Sequence, residues 1–298
     1  MKRIVWALLA TLCFSLSTPI TKIFAAEYPP VFLTAFLYAG SIFGVLVGLF
    51  PPLNMVPSRA GEFWKVEALA KSSRRALIAS ILIGGVFAPL LLIVGLARSK
   101  ASQGSLLMNS EGVFTVVIAG LLFRERMTKR LVTGTILGAA GCGLLSWRGE
   151  GTGWLWALPF LGAALLWALD SNILRYLSGL NPLVLTFWKG LGSSALLFFL
   201  AFLLEPRPVL SSRIFWVLAT GAVGYGVSLV FFIRSIRMIG VSRTGAWFSF
   251  SPFLGAVFSL ILLKETPPAV FYLAFAILGV AAFLLQENGE EEGSGTGR

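Results

Sequence analysis

Residues 102–125 of this chain read SQGSLLMNSEGVFTVVIAGLLFRE, and residues 242–265 read SRTGAWFSFSPFLGAVFSLILLKE. A shift of 140 positions aligns the two stretches without a gap. A serine opens each stretch, a long apolar run follows, and a basic residue with a glutamate closes it. Each run has the ~20 residues that an α-helix needs to cross a bilayer. The pair therefore predicts two membrane-spanning helices that occupy equivalent places in an internal repeat.

The similarity extends beyond these two stretches. The apolar runs that follow them also align, with a one-residue gap, and end at residues 143–145 and 283–285. Toward the N-terminus the offset becomes 153, so that Lys22 aligns with Arg175 and Pro29 with Pro182. We therefore divide the chain into three parts. These are a first repeat over residues 1–150, a second repeat over residues 151–287, and a Gly- and Glu-rich tail over residues 288–298 that we predict to be disordered.

The amino-acid composition indicates that most of each repeat lies in the lipid bilayer. The chain is 57% hydrophobic and 12% charged, whereas soluble domains average ~25% charged residues. Ten segments have about the length of a span: residues 4–26, 31–50, 77–97, 102–123, 131–147, 154–176, 182–204, 214–234, 244–263 and 269–286. The first run is longer than the apolar core of a signal peptide and has no clear cleavage site, so we expect a retained helix. The predicted fold class is all-α, a polytopic membrane protein with ten transmembrane helices.

Charge placement predicts how the repeats are oriented. An odd number of spans in each repeat turns the second copy upside down, giving two inverted five-helix repeats. The loop over residues 124–130 carries four basic residues, and its counterpart over residues 264–268 carries one. Equivalent loops therefore face opposite sides by the positive-inside rule. The same rule favours a cell (inner) membrane protein with both termini in the cytoplasm. Because the basic residues lie in these loops, we expect no nucleic-acid partner despite the net charge of +11.

Several kinds of chemistry lack the residues they need. The chain contains no histidine, and its two cysteines, Cys13 and Cys142, both lie within apolar runs. Structural zinc sites use about four nitrogen and sulfur ligands, and Ser-His-Asp triads need histidine. The nucleotide-binding pattern G-x-x-x-x-G-K-[ST] is also absent from the sequence. We expect no cofactor, no bound metal and no enzymatic activity.

Glu111 is the sharpest candidate for function. It lies near the middle of the fourth predicted span, beside Asn109 and Ser110, and its repeat equivalent is Ser251. A carboxylate at this depth costs about 2.5–3.5 kcal/mol on insertion scales, so it needs a reason to be there. It serves either as a coupling group for a proton or cation, or as a contact for a substrate ammonium. The alternative is a structural carboxyl that hydrogen-bonds to a neighbouring helix.

Other polar and aromatic residues lie within predicted spans. Asp170 and Lys189 lie at similar depth in two antiparallel neighbours, which favours a structural ion pair and leaves a role in gating or substrate binding open. Asn172 follows two positions after Asp170 and so faces another direction. The aromatic residues that we consider for a cavity lining, with ordinary core packing as the alternative, are Trp167, Tyr225 and Trp247. Lys22, near a span end, is expected to snorkel to the headgroups.

The chain resembles the drug/metabolite transporter superfamily, and within it the EamA-type ten-helix permeases. The residues that carry the resemblance are EGVFT at 111–115, FRER at 123–126, the Gly-rich run at 134–143, SPF at 251–253 and LKET at 263–266. Many members have proline where Gly112 stands, and Pro252 retains it in the second copy. Glycine in place of that proline, next to Glu111, suggests a subgroup of the family with its own substrate or coupling chemistry.

Inverted repeats are characteristic of alternating-access transporters, whose sites lie between the repeats near the midplane. We therefore expect a secondary active transporter of a small organic metabolite or amino-acid-like solute, driven by a proton or cation gradient. The resemblance implies export. The alternatives are a membrane-embedded lipid-modifying enzyme and a passive pore or scaffold. The expected partners are a small-molecule solute and the lipid bilayer, with the chain acting as a monomer or homodimer.

Overall fold

The computed structural model describes residues 4–46, 71–122, 128–148, 154–177, 179–209 and 211–285. All regular secondary structure within these ranges is helical. The FRER motif at 123–126 and the predicted disordered tail at 288–298 lie outside the described residues. The all-α prediction is therefore confirmed for the part of the chain that the structure describes.

Fourteen α-helices are described, together with two π-helical segments and one 3-10 turn. The first half contains α1 (Val5–Ala25), α2 (Pro30–Gly44), α3 (Lys71–Ser80), a π-helical segment (Ile81–Phe87), α4 (Ala88–Arg98), α5 (Ala101–Leu107), α6 (Ser110–Leu122) and α7 (Lys129–Arg148). The second half contains a 3-10 turn (Leu155–Ala157), α8 (Leu158–Leu177), α9 (Pro182–Leu204), α10 (Ile214–Gly221), a second π-helical segment (Ala222–Val227), α11 (Ser228–Ile239), α12 (Val241–Phe248), α13 (Ser251–Leu262) and α14 (Ala269–Leu285).

Helix length and composition make this a polytopic membrane protein. Among the described residues, five continuous helices are long and apolar enough to cross a membrane: Val5–Ala25, Lys71–Arg98, Leu155–Leu177, Pro182–Leu204 and Ile214–Ile239. Shorter apolar helices add Pro30–Gly44, Ser251–Leu262 and Ala269–Leu285. Large apolar side chains point outward as well as inward; Leu204 is 71% exposed. Such an apolar exterior is stable against lipid rather than water.

Two predicted spans are each interrupted by a turn. The span predicted at 102–123 is interrupted by a turn at Met108 and Asn109, and the span predicted at 244–263 by a turn at residues 249–250. In the first, the Asn109 amide donates to Leu106 O at 3.0 Å, so a polar side chain uses a carbonyl from the preceding turn. In the second, Pro252 lies in the first turn of α13 and cannot donate a backbone hydrogen bond. Each of these two predicted spans therefore contains two helices, α5 with α6 and α12 with α13.

The π-helical segments interrupt the third and eighth predicted spans at similar places. Each contains two glycines, and Gly84 and Gly224 are 140 positions apart. A Cβ added to Gly84 would lie 2.0 Å from Asp170 Oδ2, and one added to Gly224 would lie 2.3 Å from Ser17 Cβ. Both glycines therefore accommodate a polar side chain from another helix. A π-helical turn in an α-helix is frequently found at a functional site.

Close backbone contacts hold α2 against α10. A Cβ added to Gly40 would lie 2.2 Å from Leu218 O, and one added to Gly221 would lie 2.0 Å from Leu37 O. The two backbones approach too closely for any side chain at these positions. Small residues allow this approach between membrane helices. Gly40 and Gly221 therefore serve packing between helices of the same chain.

Glu205 connects α9 to the N-terminus of α2. It follows α9 and accepts hydrogen bonds from the Val31 and Phe32 backbone amides at 2.9 Å each. These amides lie in the first turn of α2, where they have no carbonyl partner within the helix. The carboxylate also interacts favourably with the positive end of the helix dipole. Glu205 therefore ties the end of α9 to the start of α2.

We expect Glu205→Ala to lower the free energy of unfolding by about 1–2 kcal/mol, because two backbone donors lose their acceptor. Thermal unfolding of the purified protein in detergent measures this. Glu27→Ala is the matched control, because Glu27 pairs with Arg213, which is more than half exposed. An equal loss in both variants would contradict a specific role for the Glu205 cap.

Candidate functional site

An aromatic cluster lies where the two halves of the chain meet. Phe14 on α1 contacts Trp167 on α8 edge to face, with ring centroids 5.6 Å apart. Phe14 also contacts Tyr225 at 6.2 Å and Phe248 at 5.4 Å. Tyr38 on α2 joins through Tyr225, at 5.4 Å. We call Phe14, Tyr38, Trp167, Tyr225 and Phe248 the aromatic cluster; rings of this kind can contact apolar or cationic groups of a solute.

The first π-helical segment anchors two members of this cluster. The Tyr38 hydroxyl and the Trp167 indole N–H both donate to Gly84 O, at 2.9 Å and 3.1 Å. A carbonyl that receives two side-chain donors fixes the orientation of both rings. The π-helical segment therefore links the aromatic cluster to the charged residues on the other side of Gly84.

Asp170 and Lys189 form a buried ion pair beside Gly84. Their exposed fractions are 3% and 4%, and Lys189 Nζ donates to Asp170 Oδ2. Ser80 Oγ donates to Asp170 Oδ1 at 2.6 Å. Side chains from α3, α8 and α9 thus meet at one carboxylate. Both of its oxygens have a hydrogen-bond donor, and its negative charge has a cationic partner.

Glu111 lies close to this pair but has a different environment. Ser171, the residue after Asp170, donates from Oγ to Glu111 Oε1 at 3.2 Å. Glu111 is half-buried, in the first turn of α6. Among the described residues, no lysine or arginine pairs with it. Glu111 is thus a carboxylate with a hydroxyl partner and without a cationic one, next to a carboxylate that has both.

The remaining predicted site residues make other contacts. The Asn172 amide donates to Ala168 O within its own helix at 2.9 Å, as the Asn109 amide does to Leu106 O. Trp247 and Ser251 accept hydrogen bonds on their backbone carbonyls from Thr11 and Ser15 of α1, at 3.2 Å and 3.0 Å. The structure therefore brings together five of the predicted site residues: Glu111, Asp170, Lys189, Trp167 and Tyr225. These hydrogen bonds of the other four, Asn109, Asn172, Trp247 and Ser251, do not involve any of the five.

Sequence reasoning did not single out several residues of the site. These are Phe14, Tyr38, Ser80, Gly84 and Ser171. The glycine doublet at 84–85, in the middle of an apolar run, was the one available signal. The Lys22 ammonium donates to Leu96 O, near the end of α4, at 2.5 Å.

Comparison with known proteins identifies the family. The chain matches the EamA-like transporter family over residues 1–147 and again over 154–286. An "Uncharacterized transporter" of Methanothermobacter thermautotrophicus is 27% identical over 293 residues, which cover 94% of this chain and 85% of the relative. The "Uncharacterized transporter YyaM" of Bacillus subtilis is 25% identical over 281 residues, covering 83% of this chain and 89% of that protein.

A solved crystal structure shares the fold. It superposes with a TM-score of 0.67 over 95% of this chain and 96% of its own, at 16% sequence identity. At that identity the likeness concerns the fold alone. The family match covers nearly the whole chain, so the resemblance inferred from residues 111–126 and 251–266 is confirmed. The chain belongs to the EamA-like transporter family, and its membrane-embedded helices are those of a transporter.

Proposed function

We propose that this chain is a secondary active transporter that exports a small organic metabolite or amino-acid-like solute by alternating access, driven by a proton or cation gradient. The observation that carries the proposal is Glu111, a carboxylate without a cationic partner among the described residues, beside the neutralised Asp170–Lys189 pair. A group of this kind can bind and release a positive charge during a transport cycle. The aromatic cluster supplies the adjacent surface for the solute.

Antiparallel packing of equivalent helices supports ten spans in two inverted repeats. Glu205, at the end of α9, caps the start of α2, so these helices run in opposite directions. Arg130, at the start of α7, donates to Phe283 O near the end of α14 at 3.0 Å. Each pair is related by a repeat offset, 153 for α2 and α9 and 140 for α7 and α14. Inversion of one repeat would produce this arrangement.

Equivalent contacts across the junction support alternating access. Phe14 and Trp167, which touch, are 153 positions apart. Asp170 lies against Gly84 and Ser17 against Gly224, and these pairs are related by the same offsets. Two halves with matching contacts can exchange conformations, and that exchange opens a central site alternately to each side. We propose that the chain lies in the cell (inner) membrane with both termini in the cytoplasm.

The charged residues near the junction have uncharged equivalents in the other repeat. The positions equivalent to Glu111, Asp170 and Lys189 are Ser251, Ser17 and Phe36, none of which is charged. The charged groups therefore cluster around α8. We assign Glu111 to coupling or to binding a substrate ammonium, and the Asp170–Lys189 pair to holding α3, α8 and α9 together or gating their movement.

Proteoliposomes test the proposal. A thermal-shift screen of metabolites first identifies ligands, and each ligand is then assayed for uptake with and without an imposed pH or sodium gradient. We expect saturable transport, counterflow against preloaded solute, and acceleration by one gradient. Transport without saturation or counterflow would indicate a pore. Chemical conversion of a lipid without any gradient would indicate the enzyme alternative.

A further inference from the structure

The two spans that are interrupted by turns pack against each other through one half of each. α5 and α13 are in close contact: Ser105 Oγ donates to Pro252 O at 3.0 Å, and a Cβ added to Gly255 would lie 2.3 Å from Ser105 Oγ. Within the described ranges, the other halves, α6 and α12, do not pack together in this way. Instead α6 lies against α7 and α8, and α12 lies against α1 and α11. The two spans are therefore closed together at the end where α5 begins and α13 ends.

The turns that divide these spans lie at matching places in the two repeats. One comprises Met108 and Asn109 and the other comprises residues 249–250, so that Asn109 and residue 249 are separated by the repeat offset of 140. A turn between two rigid helices can absorb a change in backbone angles and let one half of a span move relative to the other. Such turns would allow α5 and α13 to separate while α6 and α12 approach each other. We call α5 and α13 the gate helices.

A carboxylate that follows one gate helix binds the start of the other. Glu265 Oε1 and Oε2 accept hydrogen bonds from the Ala101 and Ser102 backbone amides, at 2.8 Å each. Lys100 Nζ adds a bond at the same place, donating to Thr266 O at 2.8 Å. All of these bonds join the start of α5 to the segment after α13. Because separation of the gate helices would break them, they stabilise the closed arrangement relative to an open one.

The backbone beside Glu265 has an unusual conformation. Lys264 has a φ of 50°, and it is the one non-glycine residue with a positive φ in the part of the chain that the structure describes. The left-handed region is uncommon for residues with a Cβ, and glycine usually occupies it where a helix ends. Such a conformation persists when the surrounding contacts hold it. The bonds of Glu265 and Thr266 to the start of α5 supply contacts of this kind.

We propose that Glu265 is the latch of a gate formed by α5 and α13, and that this gate is closed in the structure. The proposal rests on the alternating access proposed above. In the topology proposed above, the latched end faces away from the cytoplasm, so the gate closes the protein to the outside. Opening it releases the α5 amides from Glu265 and lets the start of α5 move away from α13. Glu265 thus acts by positioning a helix and not by contact with the solute.

The gate can be measured directly with spin labels, without solute or gradient. Ala97→Cys and Leu262→Cys place the labels at exposed positions near the start of α5 and at the end of α13, after Cys13→Ala and Cys142→Ala remove the native thiols. Pulsed EPR in nanodiscs gives the distribution of distances between the labels. We expect a short distance to dominate. Glu265→Ala should raise the ratio of long to short distances by about tenfold or more, because two charge-assisted hydrogen bonds are lost.

Glu205→Ala is the matched control. Glu205 also caps a helix at this end with two hydrogen bonds, of 2.9 Å each, but it joins α9 to α2. Its loss should leave the distances between the gate helices unchanged. Glu265→Gln keeps one acceptor oxygen and the volume of the side chain, so it should give a smaller shift, and it provides the measurement if Glu265→Ala does not fold.

Three results would overturn the latch. These are an unchanged distribution in every Glu265 variant that folds, an equal shift in Glu205→Ala, and a distribution already dominated by long distances when Glu265 is present. Because no solute takes part, failure of the transport assays would leave the distance measurement interpretable. Conversely, loss of the latch proposal would leave solute transport and its coupling to be decided by the proteoliposome assays.

Discussion

We expect Lys189→Met to lower the free energy of unfolding by about 3–5 kcal/mol, because it leaves the buried Asp170 carboxylate without its cation. The double variant Asp170→Asn/Lys189→Met should lose much less. Replacing both members of a buried pair with uncharged groups of similar size is often neutral or even stabilising. The amide introduced by Asp170→Asn would retain an oxygen for the Ser80 hydroxyl, which in the native protein donates to Asp170 Oδ1 at 2.6 Å.

Unfolding of the wild type, both single variants and the double variant in detergent measures the coupling between the two residues. The matched control is the pair formed by Arg213 and Glu27, whose side chains are 59% and 32% exposed. An exposed pair contributes only about 0–1 kcal/mol, so Arg213→Gln and Glu27→Gln should have small effects. A double variant of the buried pair as unstable as the sum of its single variants would refute the expected compensation.

The same variants separate structure from function. If the double variant folds and transports solute, the ion pair serves to hold α3, α8 and α9 together. If it folds with near wild-type stability but transports no solute, the charges take part in gating or binding. Thermal unfolding and proteoliposome transport on one preparation give both answers.

Some elements were predictable from the sequence because local chemistry defines their ends. The predicted span at 182–204 coincides with α9, Pro182–Leu204. Asn181 accepts a hydrogen bond from Leu183 N at 2.9 Å, and proline occupies the first helical position, which is a strong start signal. At the other end, Glu205 is charged and leaves the apolar run. Hydropathy and capping agree here, so the predicted and observed bounds agree.

Interruptions within a helix are harder to predict from the sequence than helix ends. The segments Ile81–Phe87 (ILIGGVF) and Ala222–Val227 (AVGYGV) contain no charged residue and continue the apolar runs of their spans, so hydropathy does not distinguish a π-helical turn from an α-helical one. The turn at Met108 and Asn109 likewise interrupts an apolar run without ending it. Asn109 and Ser110 show that this part of the span is polar, but the sequence does not show whether their side chains hydrogen-bond to the backbone or project between helices.

The site was partly predictable for a related reason. Asp170 and Lys189 are 19 positions apart on neighbouring antiparallel helices, so their similar depth predicts an encounter. Tyr38 and Gly84, however, are 46 positions apart and meet only through tertiary packing. Ser80 and Asp170 are 90 positions apart. Periodicity shows that such residues lie in membrane helices, but not which helices are neighbours.

Glu111→Gln should strongly reduce gradient-driven transport while leaving the fold intact. The amide keeps an oxygen that can accept the Ser171 hydrogen bond, which is 3.2 Å long in the native protein. The change therefore removes a charge and a protonation site without removing volume. We expect the rate of gradient-driven uptake to fall by at least about tenfold, equivalent to about 1.4 kcal/mol, and the free energy of unfolding to change little.

Counterflow assays then assign the role of Glu111. If exchange of solute persists in Glu111→Gln while gradient-driven uptake is lost, the carboxylate couples a cation to transport. If both are lost, it binds the solute, and a cationic group on that solute is the partner that the native site lacks. Ser171→Ala is the control, because it removes the hydrogen bond but keeps the carboxylate, so gradient-driven transport should survive. Unchanged gradient-driven transport in Glu111→Gln would exclude Glu111 from coupling, and the charge asymmetry around α8 would then have to act through the Asp170–Lys189 pair.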